Sequence, residues 1–302
     1  MAKYPKHGQD CEFTMDCMWG VDGWCDRPKD RKCVIAEMDA DTKKGTQSDG
    51  HAGMLPKYWQ RVSAENIILC KGGTEGYSNA GLEPFAEVIA YLIAMRIGVN
   101  TIPYHLETRA DKPVSISKLF TSKTTGLLTA NNYLVEAYPG YSFISLDMAI
   151  ARMQKDFDDL TPFYEMCFFD HIIENGDRHL NNWGFSVDNA TQTIAGFAPL
   201  WDNGAALYYE RDEDMRARFN FASFDIRYDF LKTCPFRSEL AAKARTLVAA
   251  IGDGSLKKEC MEAVNGFERY EARVEPTLSF VEQRCREYIR NVQATIADIY
   301  KS

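Results

Sequence analysis

GDRHLNNWGF, residues 176–185, places an Asp, an Arg, a His and two Asn between two segments that read as buried. The run before it, LTPFYEMCFFDHIIEN (160–175), reads as an apolar helix. The segments after it, WGFSVD (183–188) and QTIAGFAPL (192–200), read as strands of a hairpin turning around Asn189-Ala190-Thr191. Gly176 suits a helix terminus that turns sharply, which leaves Asp177 in a loop at the rim of a packed core. The second strand runs into WDNG (201–204), and a hairpin brings its ends together. Asp202 is therefore expected to return close to Asn182.

Two carboxylates and an amide would then converge on one place. Hard oxygen ligands of this kind suit Mg²⁺, which is held by one or two carboxylates together with substrate phosphates. An Asp beside such a metal can accept the proton of an attacking hydroxyl. This makes Asp177 the candidate base, and Asn182 and Asp202 the candidate metal ligands. Asp-Asn-Gly alone is a common turn, and Asn182 alone reads as a cap; their order, spacing and strand setting together favour a metal–phosphate site. His179 is a second catalytic candidate, expected to position its neighbours through hydrogen bonds. Arg178 is expected to pair with a carboxylate or phosphate rather than to react. Asn181 acquires no role.

A phosphate site also needs a cation. Lys71 ends the apolar strand ENIILCK (65–71), where its stem is buried and its ammonium presented. The helix EPFAEVIAYLIAMRIG (83–98), with Pro84 in its first turn and Gly98 at its stop, supplies a carboxylate. Glu87 shares a face with Ala90, Tyr91 and Ala94, and a carboxylate in an apolar helix needs a partner. Lys71–Glu87 is the expected pair, with Glu83 as competitor. GTQSDGHAGMLPKYW (45–59) reads either as a loop covering the phosphates, in which Gly45, Gly50 and Gly53 allow close backbone approach, or as a plain turn.

Around these motifs the chain is strand-rich with one helix up to about residue 120, including YHLETR (104–109) and PVSISKLF (113–120). Helical patterns dominate 125–175 and 238–300. The expectation is an α+β, bilobal fold: residues 1–120 as a small lobe with the glycine loop, the Lys71 strand and the helix 83–98, and residues 121–302 as a larger helical lobe. A further strand is expected at CVIAEMD (33–39).

Composition narrows the function classes. A net charge of −8 argues against a dominant nucleic-acid-binding surface. Residues 1–20 hold no apolar signal core, and the longest apolar run, VIAYLIAM (88–95), is too short for a membrane span. Nine cysteines without tight spacing do not form a disulfide framework, so a reduced, cytoplasmic protein is expected. Cys11, Cys17, Cys25 and Cys33 cluster near His7 but lack a C-x-x-C pair, and read as free thiols rather than a zinc site. A metallophosphoesterase, whose site also opens on G-D-x-H, is disfavoured because none of the five histidines follows an Asn.

In GMLPKYW (53–59), IILCK (67–71), EPFAEVIAYLIAMRIGV (83–99), GDRHLNNWGF (176–185) and APLWDNGAAL (198–207), taken in order, the chain resembles the HipA-family kinases, a bacterial branch of the protein-kinase-like fold. The resemblance implies an ATP- and Mg²⁺-dependent protein Ser/Thr kinase. Asp177 would be the base and Asn182 and Asp202 the Mg²⁺ ligands. Lys71 would contact the ATP phosphates, and the backbone near Lys118–Phe120 would receive the adenine. It further implies a protein substrate and, in toxin members of the family, a HipB-like DNA-binding antitoxin. Some members autophosphorylate a serine of the glycine loop; here Gly50 stands at that place, with Thr46 and Ser48 nearby. The D-R-H-x-x-N…D-x-G pair is shared with phosphoinositide kinases, so a lipid kinase is one alternative. A non-catalytic ATP-binding interaction module is another, although Lys71, Asp177, Asn182 and Asp202 are all present.

Overall fold

The computed structural model describes residues 20–21, 24–25, 57–63, 66–73, 81–141, 144–207 and 230–299. The strand expected at 33–39, the glycine-punctuated stretch with Thr46, Ser48 and Gly53, and Cys11, Cys17, Cys33 and His7 lie outside them. The described chain is a mixed α/β structure and divides into two compact units.

The first unit holds the described residues up to Pro84, with Ile102–Leu128 and Phe185–Gly196. Two short strands, β1 (Gly20–Val21) and β2 (Trp24–Cys25), pair with each other. The main sheet joins β3 (Lys57–Ser63), β4 (Asn66–Lys71), β5 (Tyr104–Arg109) and β6 (Lys112–Lys118) antiparallel in the order β3-β4-β6-β5. Ile68, Cys70, Val114 and Ile116 from its two central strands form a buried cluster. The β5–β6 hairpin turns on Ala110 and Asp111, both at positive φ (47° and 62°), the two-residue geometry whose twist matches the flanking strands. A second sheet joins β7 (Thr125–Thr129), β8 (Gly184–Asp188) and β9 (Thr193–Phe197) in that order.

Two of these strands correct the sequence expectation. Residues 57–59 belong to β3 rather than to a loop, and residues 125–129 form β7 rather than helix. TGLLT is too short for its periodicity to separate strand from helix, and its pairing partner β8 is distant in the chain.

The second unit holds Phe85–Thr101, Thr129–Gly184 and the described residues from Phe197 on. Its helices are α1 (Glu83–Ile97, whose first two residues fall in the first unit), α2 (Ala130–Ala137), α3 (Leu146–Asp156), α4 (Thr161–Ile173), α5 (Phe230–Thr233), α6 (Arg237–Gly252), α7 (Ser255–Ala263) and α8 (Glu268–Ile299). Helix α1 buries Phe85, Ala86, Val88, Ile89, Ala90, Ile93 and Ala94, and the Phe85 ring lies 5.5 Å from that of Tyr270. It stops where expected: Gly98 takes φ +66°, and Val99 N–H donates back to Ala94 O at 2.9 Å. Helix α8 presents Tyr270, Val274, Leu278, Val281, Cys285, Tyr288 and Val292 as one buried stripe at three- and four-residue spacing. Each such side chain contributes roughly 1.5–3 kcal/mol by leaving water.

The five described cysteines beyond Cys25, namely Cys70, Cys167, Cys234, Cys260 and Cys285, are buried free thiols. Burial pushes the thiols of Cys260 and Cys285 up to about 12, so they pack as neutral groups. None of the described helices is long and apolar enough to cross a membrane.

Candidate active site

The site is built at the end of α4. Pro162 opens this helix, and Phe163, Phe168, Phe169, Ile172 and Ile173 bury it on several sides. The left-handed cap is Glu174 (φ 50°), not Gly176, which corrects the sequence reading: the turn comes two residues earlier and uses a residue with a Cβ. The Glu174 and Asn175 N–H groups both donate to Asp170 O. Asn175 then fixes the start of the loop, its Oδ1 accepting the Asp177 N–H at 3.1 Å and its Nδ2 donating to Asp170 Oδ1 at 3.2 Å.

The loop 177–182 closes on itself. Asn182 Nδ2 donates to the Asp177 carbonyl at 2.9 Å, and Asn182 N–H donates to His179 O at 2.8 Å. His179 N–H donates to Asp177 O, and His179 Nδ1 accepts the Asn181 N–H at 3.2 Å. Asp177 and Asn182 are thus brought together, with His179 hydrogen-bonded in the turn between them. Trp183 leaves the loop fully buried, 5.6 Å from the Phe163 ring, and its carbonyl accepts the Ala130 N–H of α2.

Arg178 is the hub that sequence reasoning underrated. It is 3% exposed, and all five of its N–H donors are used. Nε and Nη2 grip the Asp170 carboxylate at 3.0 Å; Nη1 donates to Asn182 O at 2.9 Å and to Trp201 O at 2.5 Å; Nη2 also donates to Asn203 Oδ1 at 2.5 Å. No donor is left for a phosphate, so the partner is the carboxylate. Burial opposes the Arg178 charge, but the Asp170, Asp202 and Glu87 carboxylates outweigh it and raise the guanidinium above its ordinary pKa.

Arg178 also fastens both flanks of the β8–β9 hairpin, Asn182 on one side and Trp201 on the other, while Ala198 N–H donates to Gly184 O. The expectation that Asp202 returns to the neighbourhood of Asn182 is met. Asp202 takes a left-handed backbone (φ 59°), a conformation that costs an L-residue about 1–2 kcal/mol, less for Asp than for most. The next residue, Asn203, is fully buried; its N–H donates to Glu87 Oε2 at 2.8 Å, and its Nδ2 has no hydrogen-bond partner.

The donor set fits a hard cation. The Asn182 amide nitrogen is spent on the Asp177 carbonyl, which leaves Oδ1 as its ligand atom. The Asp202 carboxylate and one amide oxygen would leave coordination positions for phosphate oxygens and water, as Mg²⁺ prefers. Among the described residues no group of three or more His, Cys, Asp or Glu is placed to hold a metal ion.

The remaining expected residues divide between the two units. Lys71, at the end of β4, is 4% exposed rather than a surface lysine, and belongs to the first unit. Lys118 ends β6, and the following Leu119 N–H donates to Ile67 O at 2.9 Å, so Lys118–Phe120 continue from the central strands. Glu87 is fully buried in the second unit. The residues that sequence reasoning missed are Asp170 and Asn203. Asp170 carried a usable signal, a carboxylate flanked by Phe168, Phe169, Ile172 and Ile173 eight residues before an arginine. The need for a partner that was applied to Glu87 applied equally there.

The HipA-like C-terminal domain family matches residues 50–296. The chain belongs to that family. No curated protein matches the chain. Among solved structures, this HipA-like chain is similar to the Helicobacter pylori proinflammatory kinase CtkA, at 18% identity and TM-score 0.59, over 86% of this chain and 96% of that one. It is also similar to Shewanella oneidensis MR-1 HipA, solved with HipB and operator DNA, at 14% identity and TM-score 0.57, over 91% of this chain and 77% of that one. At these identities the two likenesses speak to the fold, and the kinase-like fold of HipA and CtkA is the one this chain adopts.

Proposed function

We propose that this protein is an ATP-dependent protein Ser/Thr kinase of HipA type. The observation that carries the reading is the closure of the Asp177–Asn182 loop beside the Trp201–Asn203 segment, both fastened by the buried Arg178. Membership of the HipA-like family supports it.

In this reading Asn182 Oδ1 and the Asp202 carboxylate hold Mg²⁺, which when bound neutralises charge on the nucleotide phosphates. The Lys71 ammonium serves those phosphates, and the backbone at Lys118–Phe120 receives the adenine. Asp177 accepts the proton as a protein hydroxyl oxygen bonds to the γ-phosphorus; the bond to the bridging oxygen breaks and ADP leaves. Arg178, His179 and Asn175 hold the loop and take no proton. A HipB-like DNA-binding protein is the proposed partner, by analogy with the Shewanella complex.

The test is incubation with Mg²⁺ and γ-labelled ATP, alone and with a cell lysate. Label on the protein itself or on a lysate protein is expected, and none on phosphoinositide vesicles. Asp177→Asn should lower transfer by about 10²–10⁴-fold while leaving the melting temperature and nucleotide binding close to wild type. Absence of transfer to every acceptor sinks the reading, and full activity of Asp177→Asn sinks the assignment of the base.

A further inference from the structure

Glu87 is a carboxylate with no exposed surface on a helix whose neighbouring residues, Phe85, Ala86, Val88, Ile89 and Ala90, are all buried and apolar. Its Oε2 accepts a hydrogen bond at 2.8 Å from the main-chain N–H of Asn203, a residue 116 positions away in sequence. On the other side of Asp202, the carbonyl of Trp201 accepts from Arg178 Nη1, and Arg178 Nη2 also holds the Asn203 side chain. Asp202 itself stands at φ 59°, between two residues whose polar backbone groups are fixed by buried charges.

We propose that Glu87 and Arg178 are positioning residues for the metal-binding Asp202, pinning the backbone on either side of it and so imposing the left-handed turn that presents its carboxylate. The inference rests on the kinase reading and deepens it. It gives Glu87 a task in addition to the lysine partnership that its place on the helix first suggests.

The two tasks make opposite demands on one substitution. A partner for a lysine ammonium works through its charge, which Gln lacks. An anchor for a main-chain N–H works through an acceptor oxygen, which Gln keeps. An outer-shell group that orients a metal ligand, when removed, typically lowers metal affinity about 10–100-fold. Structural damage alone would not raise the Mg²⁺ requirement selectively, nor would it be relieved by Gln.

The experiment compares full-length wild type, Glu87→Ala and Glu87→Gln in two measurements. The first is hydrogen exchange by mass spectrometry over peptides spanning 200–206, without nucleotide. The second is the Mg²⁺ concentration for half-maximal binding of a non-hydrolysable ATP analogue by calorimetry. Glu87→Ala is expected to deprotect the Asn203 amide and raise the Mg²⁺ requirement by about tenfold or more. Glu87→Gln is expected to keep the amide protected and to need less Mg²⁺ than Glu87→Ala. Glu87→Gln as impaired as Glu87→Ala, with the Asn203 amide still protected, overturns the inference in favour of a charge role. An unchanged Mg²⁺ requirement in Glu87→Ala beside a wild type that binds the analogue overturns it as well. Wild-type protein that binds no Mg²⁺-dependent nucleotide overturns the kinase reading, and with it the metal part of this inference. The exchange measurement, made without nucleotide, keeps those failures apart.

Discussion

Arg178 in the helical unit and Asn189 in the sheet unit each tie one stretch of backbone to another, in opposite surroundings. Arg178 is buried and holds two carbonyls, a carboxylate and an amide oxygen with a full positive charge. Asn189, in the β8–β9 turn, is half-buried and neutral. Its Nδ2 donates to Ser122 O at 3.2 Å and Lys123 O at 3.0 Å, and its N–H donates to Thr124 O at 3.0 Å. The buried cation is tolerable only because every donor is used, so loss of one partner leaves a desolvated charge. The half-buried amide has water as an alternative partner, and its worth is that of ordinary hydrogen bonds.

The largest expected effect breaks the comparison on the buried side. Arg178→Met leaves Asp170 an unpaired buried carboxylate, and should cost about 3–5 kcal/mol in urea unfolding. The double variant Asp170→Leu/Arg178→Met should be more stable than Arg178→Met alone, although still below wild type, because the Asn182 and Trp201 carbonyls stay unmet. A double variant no more stable than the single would show that the buried pair is not the seat of the loss.

A smaller effect tests the turn. A Cβ at Gly126 would lie 2.4 Å from Asn189 Oδ1, and Asn189 can retreat only by giving up its bonds to Ser122 and Lys123. Gly126→Ala should destabilise by about 1–3 kcal/mol, and by clearly less in an Asn189→Ala background. Additive losses in that double-mutant cycle would remove Asn189 from the account.

The smallest effect is electrostatic. Asp188 accepts the N–H groups of Ala190 and Thr191 through Oδ1, and these two backbone bonds hold its carboxyl below the ordinary value of 3.8. A depressed folded-state pKa means that stability from the charge is fully present above the ordinary value and is lost as pH falls through the folded one. The melting-temperature difference between wild type and Asp188→Asn should therefore be constant from neutral pH to about 5 and vanish as the solution is acidified below the carboxylate range. A difference that persists at the lowest pH would assign the effect to packing instead.

Legibility in the sequence followed the range of the interactions. The limits of β5, α1 and α4 were readable to within two residues, because apolar pattern and terminal residues such as Pro84 and Gly98 act locally. The hairpin 184–197 was readable because its turn sits between two short alternating runs. Strand β7 was not: five residues carry too little pattern, and what makes TGLLT extended is β8, more than fifty residues on. The same division runs through the site. Asp177, Asn182 and Asp202 announced themselves by residue type and spacing, whereas Arg178 looked like an accessory between them.

The sequence by itself determined which candidate chemistry this chain offers: two carboxylates and an amide at set intervals, and a lysine at the end of an apolar strand. Residue type and separation along the chain are enough for that. Only the tertiary structure decided which residues hold that chemistry in place. Asp170, Arg178, Asn203 and Glu87 come from four separate stretches, and a buried charge is stable only when every partner arrives at once. That condition belongs to the packed interior, where water cannot substitute for a missing partner, and no local pattern records it.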